Sequence, residues 1–463
     1  MGAEMLGAIS FIMGTASLFA MFTDLGFYQA HLKRVAEGRN IEECLGAMIL
    51  IAFILNGAAM GVSMLYLKLE QGLFFDSWAQ QIAFIVLVGQ YFLNNLSQVF
   101  LTTLNAQLQI AKWVTASLLA KMVQLAGVAF VSLSVRELIS LSFAYFLGSV
   151  ALLISAIYLL RPVVKWPSVE LLKSYISYAK PFIVLNPVSL LTERLDVIAI
   201  KMGSGLAEVG YYSVARSLYD ALKSISSAAM QVFFPQVTED FAKGRKDLVQ
   251  SRLFRIERQL LLMVTPLVTL VALFAGPIVV TIFGNEFAGS SKILIIFCGV
   301  AWLVTLSRPY SNILYAAEKH YLLIKSSLAA FLVYILILAG TVMSSVLNLP
   351  WGGLGGAGAA LAVGSLWIVP LPFIIRWVKC YTAIGFYWPM WKFLVAAGEL
   401  TLPVWITPGF WLKVTIGVVM GLLVYLGTLS LLRILCKEDL QSLLDLLNPK
   451  AMVTYVLKEI QMR

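Results

Sequence analysis

Residues 139–160 read Ile139-Ser-Leu-Ser-Phe-Ala-Tyr-Phe-Leu-Gly-Ser-Val-Ala-Leu-Leu-Ile-Ser-Ala-Ile-Tyr-Leu-Leu160, twenty-two positions without a charged side chain. A helix needs about 20 apolar residues to cross a hydrocarbon core. Outer-membrane strands are about 10 residues long and alternate strictly, which this stretch does not, so it reads as a transmembrane helix. Working outward from it, twelve more stretches read the same way, near 7–29, 45–67, 80–102, 112–133, 176–200, 210–235, 259–283, 292–315, 324–346, 354–376, 391–407 and 412–433. The whole chain agrees: 60% of its 463 residues are apolar, 13% are charged, and the mean hydropathy is +0.87. Water-soluble domains do not have such a composition. The expected class is an all-α, polytopic membrane protein of about 13 transmembrane helices.

Little else in the composition points to chemistry. Cys44, Cys298, Cys380 and Cys436 have no metal-type spacing and suggest no disulfide framework. His31 and His320 are the only histidines; both are expected in short basic loops as solvated residues, and no metal site is expected. The first apolar stretch includes Asp24 and lacks a basic leader, unlike a cleaved signal peptide.

The basic residues suggest an orientation. With thirteen spans, the loops near 30–44, 103–112, 161–180, 236–258, 316–325, 376–392 and 433–463 share one side and hold 24 of the 34 Lys and Arg. The opposite loops hold five: Lys68, Arg136, Lys201, Lys292 and Lys413. The positive-inside rule then puts the first set and the C-terminus in the cytoplasm of a cell-membrane protein. The net charge of +10 is thereby topological, and no nucleic-acid partner is expected, because no soluble basic domain exists to bind one.

Two stretches resemble each other, Met1-Gly-Ala-Glu-Met-Leu-Gly7-Ala-Ile-Ser10 and Met202-Gly-Ser-Gly-Leu-Ala-Glu-Val-Gly210-Tyr-Tyr-Ser213. Each opens a long helix that ends in a basic turn, Arg34-Val-Ala-Glu-Gly38-Arg39 and Asp240-Phe-Ala-Lys-Gly244-Arg245. This suggests two pseudo-symmetric bundles around a central cavity, as in many transporters. Only the second copy is preceded by a span, so a first helix is expected upstream of the first copy. The expected organisation is a first bundle over 1–160, an interfacial amphipathic linker over 161–178, and a second bundle over 179–380. Two additional helices over 381–435 and a cytoplasmic amphipathic tail over 436–463 complete it.

Ionisable groups within a span cost about 2.5–3.5 kcal/mol each on insertion scales, so they normally face a bundle interior or a wet cavity. On span 210–235, Tyr212, Arg216, Tyr219, Asp220 and Lys223 recur at helical spacing. Span 176–200 offers Asn186, Ser189, Glu193 and Asp196, with Arg194 beside them. The first bundle contributes Gln90, Asn94, Gln98, Lys121 and Asp24, and span 292–315 adds Arg308 before the helix-kinking Pro309. The expected substrate cavity is lined by Arg216, Arg194, Arg308, Lys121, Lys223, Asp196, Asp220, Tyr212 and Asp24, whose guanidinium and ammonium groups suit an anionic headgroup. Pairing within the helix, Arg216 or Lys223 with Asp220, is the structural alternative. Gly353-Leu-Gly355-Gly-Ala-Gly358 matches a dinucleotide fingerprint, but it follows Pro350-Trp351 and no acidic residue occurs between 359 and 398. These glycines read instead as a close helix contact or a bend. No cofactor-binding or catalytic motif occurs, and no loop is long enough for an ATP-binding domain, so an enzyme is not expected.

Leu195-Asp196-Val-Ile-Ala-Ile-Lys-Met-Gly203, Val209-Gly210-Tyr211-Tyr212-Ser213-Val-Ala-Arg216, Phe234-Pro235, Phe283-Gly284 and Thr23-Asp24-Leu-Gly26-Phe27 together resemble the polysaccharide-biosynthesis flippases of the multidrug/oligosaccharidyl-lipid/polysaccharide superfamily. The resemblance implies two six-helix bundles enclosing a cavity, usually with two extra helices. It also implies alternating access that moves polyprenyl- or dolichyl-linked saccharides, on a phosphate or pyrophosphate carrier, outward across membrane lipids, with H+ or Na+ as a possible coupling ion. The competing class is a cation-coupled small-molecule or multidrug antiporter of the same architecture, whose cavity should be lined by carboxylates. The in-span charges, five basic against Asp24, Glu193, Asp196, Asp220 and Glu399, do not decide between them.

Overall fold

The computed structural model describes residues 2–20, 22–69, 75–107, 109–180, 182–317, 319–342, 354–409 and 412–435. The expected tail over 436–463 lies outside them. Every regular element among the described residues is helical. A chain in lipid must satisfy its backbone hydrogen bonds within each segment, so this follows from composition. Nine helical segments among the described residues, with Gly355–Thr382 counted as one, are long and apolar enough to cross a membrane, and the chain is a multi-pass membrane protein.

The helices fall into two compact units, Met1–Ser213 with Leu338–Ala359, and Val214–Ile337 with Ala360–Arg463. The first contains α1 (Ala3–Ala20), α2 (Phe27–Ala36), α3 (Ile41–Leu69), α4 (Trp78–Ala106), α5 (Ile110–Ser134), α6 (Leu138–Leu160), α7 (Val169–Ala179), α8 (Phe182–Ser204) and the start of α9 (Leu206–Ala242). The second continues α9 and adds α10 (Lys246–Leu273), α11 (Ala275–Phe283), α12 (Ser290–Ala316) and most of α13 (His320–Thr341). It also holds the later part of α14 (Gly355–Ile368), then α15 (Pro370–Thr382), α16 (Met390–Ile406) and α17 (Val418–Leu431), the last led in by a π-turn at Lys413–Gly417.

Several expected spans are broken helices. The stretch 7–29 splits: α1 ends at Ala20 and α2 starts at Phe27 after Gly26, whose φ of +92° is open to glycine and strained for other residues. The stretch 259–283 belongs to a helix that starts thirteen residues earlier, at Lys246, and breaks at Phe274. The two repeat turns share one geometry: Gly38 and Gly244 are both left-handed. Arg39 N–H bonds the Arg34 carbonyl as Arg245 N–H bonds that of Asp240. Both are six-to-one closures of a helix end by glycine.

The repeat glycines have a packing reason. Within the first unit, a Cβ on Gly7 would stand 1.8 Å from the Leu206 carbonyl oxygen, and one on Gly210 would stand 2.1 Å from that of Ala3. The two motifs therefore cross at backbone contact, which only small residues permit in lipid. The Gly355–Gly358 turn is likewise a close contact: a Cβ on Gly358 would lie 2.5 Å from Thr341 Oγ1, and Gly356 N–H donates to Glu208 at 2.9 Å.

His31 corrects its expected place in a solvated loop. It lies on α2, a helix too short to span, with no exposed surface. Nδ1 is 2.9 Å from the Tyr175 hydroxyl of α7 and Nε2 is 2.8 Å from Thr103 Oγ1 of α4. Nearby, Arg34 donates to the Ser174 carbonyl and Lys33 lies over the Tyr178 ring. The side chain of His320 lies outside the described residues.

Two outcomes follow from this packing. Gly7→Ala should destabilise the protein by about 1–3 kcal/mol by forcing the crossing helices apart, whereas Gly57→Ala, which meets open space, should be neutral or stabilising; thermal midpoints in detergent compare them. Burial pushes the His31 imidazole down to about 4. Between about pH 6.5 and 4 the undocked form binds a proton that the docked form does not, so docking of α2 on α7 should weaken as pH falls through that window and stay constant above it. Hydrogen exchange of α7 amides, corrected for intrinsic rates, should show this in the wild type and not in His31→Gln.

Candidate functional site

Arg216, Tyr219, Asp220, Lys223 and Ser227 fall three or four residues apart on α9 and so share one face. Asp220 sits between two cations, Lys223 Nζ at 2.9 Å and Arg216 Nε at 3.7 Å. Both cations also stand over the Tyr219 ring, at 5.7 Å for Arg216 and 5.3 Å for Lys223. Tyr219 is itself buried and stacks on Phe297 of α12, with centroids 4.7 Å apart and planes 21° apart. The aromatic pair is a rigid floor that holds the cationic heads by their attraction to its face.

A third cation joins from α12. Arg308 donates to Ser227 and lies over the Trp367 ring at 5.8 Å, and the Tyr219 hydroxyl is within the field of Arg216, Asp220 and Arg308. The structure therefore brings four expected site residues together in the second unit: Arg216, Asp220, Lys223 and Arg308. Among the described residues Asp220 is the carboxylate paired with Arg216 and Lys223, and the cluster is rich in positive charge. Lys223 and Arg216 are mostly buried, with 25% and 20% of their side chains exposed, whereas Asp220 is 49% exposed, so part of its charge is offset by solvent. Such a cluster can bind an anion through several charge-assisted hydrogen bonds.

In the first unit Asp196 and Tyr212 pair with each other. Asp196 is wholly buried, accepts a hydrogen bond from the Tyr212 hydroxyl, and receives the Val197 N–H at 2.7 Å. Tyr212 is buried with it. Arg194 is half-buried on α8. Lys121 is exposed on α5 and donates to Gln124 at 2.9 Å. Asp24 precedes α2 and accepts the Tyr28 N–H at 3.2 Å. Its neighbour Thr23 accepts from Asn95, which also donates to Asn56 at 3.0 Å. A cavity of about 20 Å³ beside them is lined by Thr23, Asn56, Tyr91 and Asn95 and has room for one water. The side chains of Asn186, Ser189 and Glu193 lie outside the described residues.

Sequence reasoning missed a buried acid. Glu257 on α10 has no exposed surface; Tyr310 of α12 donates to its Oε2 at 2.6 Å and accepts the Tyr387 N–H at 3.0 Å. Its Oε1 has no hydrogen-bond partner. With the span placed at 259–283 this residue counted as part of a loop, and only the earlier start of α10 brings it inside. An isolated acid in the run Ile256-Glu257-Arg258-Gln259-Leu260 was the available signal.

Comparison with known proteins agrees with this architecture. The polysaccharide biosynthesis protein family matches residues 1–241, more than half of the chain, and the chain belongs to that family. Agl15 of Haloferax volcanii, named a probable low-salt glycan biosynthesis flippase, is 22% identical over 437 residues, covering 93% of this chain and 90% of its own. Among solved structures, the inward closed conformation of the lipid II flippase MurJ superposes with a TM-score of 0.76 at 15% identity, over 93% of both chains. An inward-facing multidrug resistance MATE transporter gives 0.66 at 14% identity, over 82% of this chain and 92% of its own.

The buried acid gives a stability prediction. Tyr310→Phe should cost about 1–3 kcal/mol, because Glu257 is left buried with neither oxygen hydrogen-bonded. Adding Glu257→Leu should recover part of that loss, an interaction readable as non-additivity in a double-mutant cycle of thermal midpoints.

Proposed function

We propose, from membership of the polysaccharide biosynthesis protein family, that this chain moves a lipid-linked saccharide precursor across the cell membrane by alternating access. The observation that carries the reading is the gathering of Arg216, Lys223 and Arg308 near the Tyr219–Phe297 stack, with Asp220 paired to the first two. The cargo's phosphate or pyrophosphate, on a polyprenyl or dolichyl carrier, displaces Asp220 from one or both of its cations. Asp220 thereby keeps the empty site partly neutral and makes binding an exchange of anions. Saccharide hydroxyls find the neighbouring polar groups.

A small-molecule antiporter of lipophilic cations would need free carboxylates facing its cargo. The acids of this chain support that less well, since Asp196 is committed to Tyr212 and Asp220 to two cations. Glu257, with one unpartnered oxygen, is the acid we assign to the coupling ion, a proton or Na+. The C-terminus and the Lys/Arg-rich loops face the cytoplasm. Transport rather than covalent chemistry is the activity.

Arg216→Ala should weaken binding of the lipid-linked saccharide roughly ten- to a hundredfold, the equivalent of about 1.5–3 kcal/mol for a charge-assisted contact. Arg216→Lys should restore part, because an ammonium lacks the planar fork. Folding should survive, since Asp220 retains Lys223. Reconstituted translocation with a polyprenyl-pyrophosphate-linked saccharide is the assay. Wild-type transport by well-expressed Arg216→Ala protein would remove this residue as headgroup ligand and favour the antiporter.

A further inference from the structure

Away from the Arg216 cluster, a cavity of about 320 Å³ opens in the first unit where α3 begins, α4 turns into α5, and α6 ends. We propose that it binds the phosphodiester headgroup of an anionic, hydroxyl-bearing membrane lipid, of the phosphatidylglycerol kind.

The walls are held in place before any ligand arrives. The extended segment after α6 is pinned to α3: Lys165 N–H donates to the Glu42 carbonyl at 3.0 Å, and Lys165 Nζ pairs with the Glu42 carboxylate at 2.5 Å. Gly46 makes this possible, because a Cβ there would stand 1.9 Å from the Lys165 carbonyl oxygen. Arg161 closes α6 in the left-handed conformation, with φ at +51°.

The charge left over is positive. Glu42 lines the cavity but is neutralised by Lys165, whereas Lys112 and Arg161, which also line it, have no acidic partner among the described residues. α5 starts here as well, so its first-turn N–H groups add a partial positive charge. A phosphate therefore fits between Lys112 and Arg161. Gln109 supplies the second recognition element. Its side-chain oxygen is buried at the cavity with no hydrogen-bond partner. An orphaned buried acceptor is costly, and a hydroxyl donated by a ligand would relieve it.

The surroundings select a lipid over a free phosphate ester. Next to the cavity, Trp113 on α5 and Ile154, Ile157 and Tyr158 on α6 are exposed, a surface suited to acyl chains below an aromatic belt. The loops that meet at the cavity, α2–α3, α4–α5 and α6–α7, all belong to the Lys/Arg-rich set, the side where anionic headgroups attract basic segments.

Purified full-length protein in detergent is titrated with dioctanoyl phosphatidylglycerol, following the thermal midpoint. The midpoint should rise with the lipid, and not with dioctanoyl phosphatidylcholine or with glycerol 3-phosphate at the same concentrations. Lys112→Ala combined with Arg161→Asn, which tolerates the left-handed backbone, should melt like the wild type without lipid and bind about tenfold or more weakly. Gln109→Leu should reduce the preference for phosphatidylglycerol over dioctanoyl phosphatidic acid methyl ester, which lacks the hydroxyls. An undiminished response in the Lys112/Arg161 variant, or phosphatidylcholine acting as well as phosphatidylglycerol, overturns the site. An equal response to glycerol 3-phosphate overturns the lipid as its source. If the double variant fails to fold, Gln109→Leu alone decides, through loss or retention of that preference.

Discussion

Hydrocarbon offers no hydrogen bonds and no counter-ions, so each polar group that this chain carries into a span must meet its partner inside the protein. Most of the internal arrangement follows from that one constraint. Asp196 takes the Tyr212 hydroxyl, Glu257 takes that of Tyr310, and Thr23, Asn56 and Asn95 serve one another. Around Tyr219 the described residues bring Arg216 and Lys223 to the half-exposed Asp220, with Arg308 on Ser227 beside them.

The same constraint explains why glycine matters more here than hydrophobic bulk. Lipid tails are as apolar as leucine, so burying leucine between helices gains little, and association depends on close backbone approach and on polar pairs. Gly7 against Leu206, Gly210 against Ala3, and Gly46 against Lys165 are contacts of that kind. The similar stretches share glycines with physical reasons to be there: Gly7 and Gly210 at close backbone approach, and Gly38 and Gly244 in the left-handed conformation that closes a helix.

Helices were legible because composition alone requires them; their interruptions were not. The break at Phe274 falls within an apolar run, where hydropathy has no signal for a change of direction, and the single Asp24 before α2 was read as an in-span charge. That is why 7–29 and 259–283 each read as one helix, while Glu257 was left outside a span because α10 starts thirteen residues earlier, at Lys246. The α9 stripe was legible because Arg216, Tyr219, Asp220 and Lys223 are local in sequence and helical periodicity aligns them. Glu257 and Tyr310 stand 53 residues apart, and His31 and Tyr175 stand 144 apart, so only folding joins them. His31 was misread for a related reason: a histidine among lysines and arginines looks solvated until the helix that covers it is known.

The local character of the α9 stripe bears on how the site can work. Asp220 lies on the same helix as two of its cations, so the Arg216–Asp220–Lys223 arrangement moves as one rigid piece with α9. Arg308 reaches it from α12, through Ser227 and over Trp367, beside Pro309 inside that helix. A proline frees a carbonyl and permits a kink, so Arg308 is the member of the cluster that comes from a second, proline-containing helix. A headgroup that bridges Arg216 and Arg308 would pull α12 toward α9, whereas Asp220 alone pairs only along its own helix. Ligand and internal carboxylate are then not equivalent occupants, and that difference is what a carrier needs, since a ligand shifts a conformational equilibrium only by its unequal affinity for the two states.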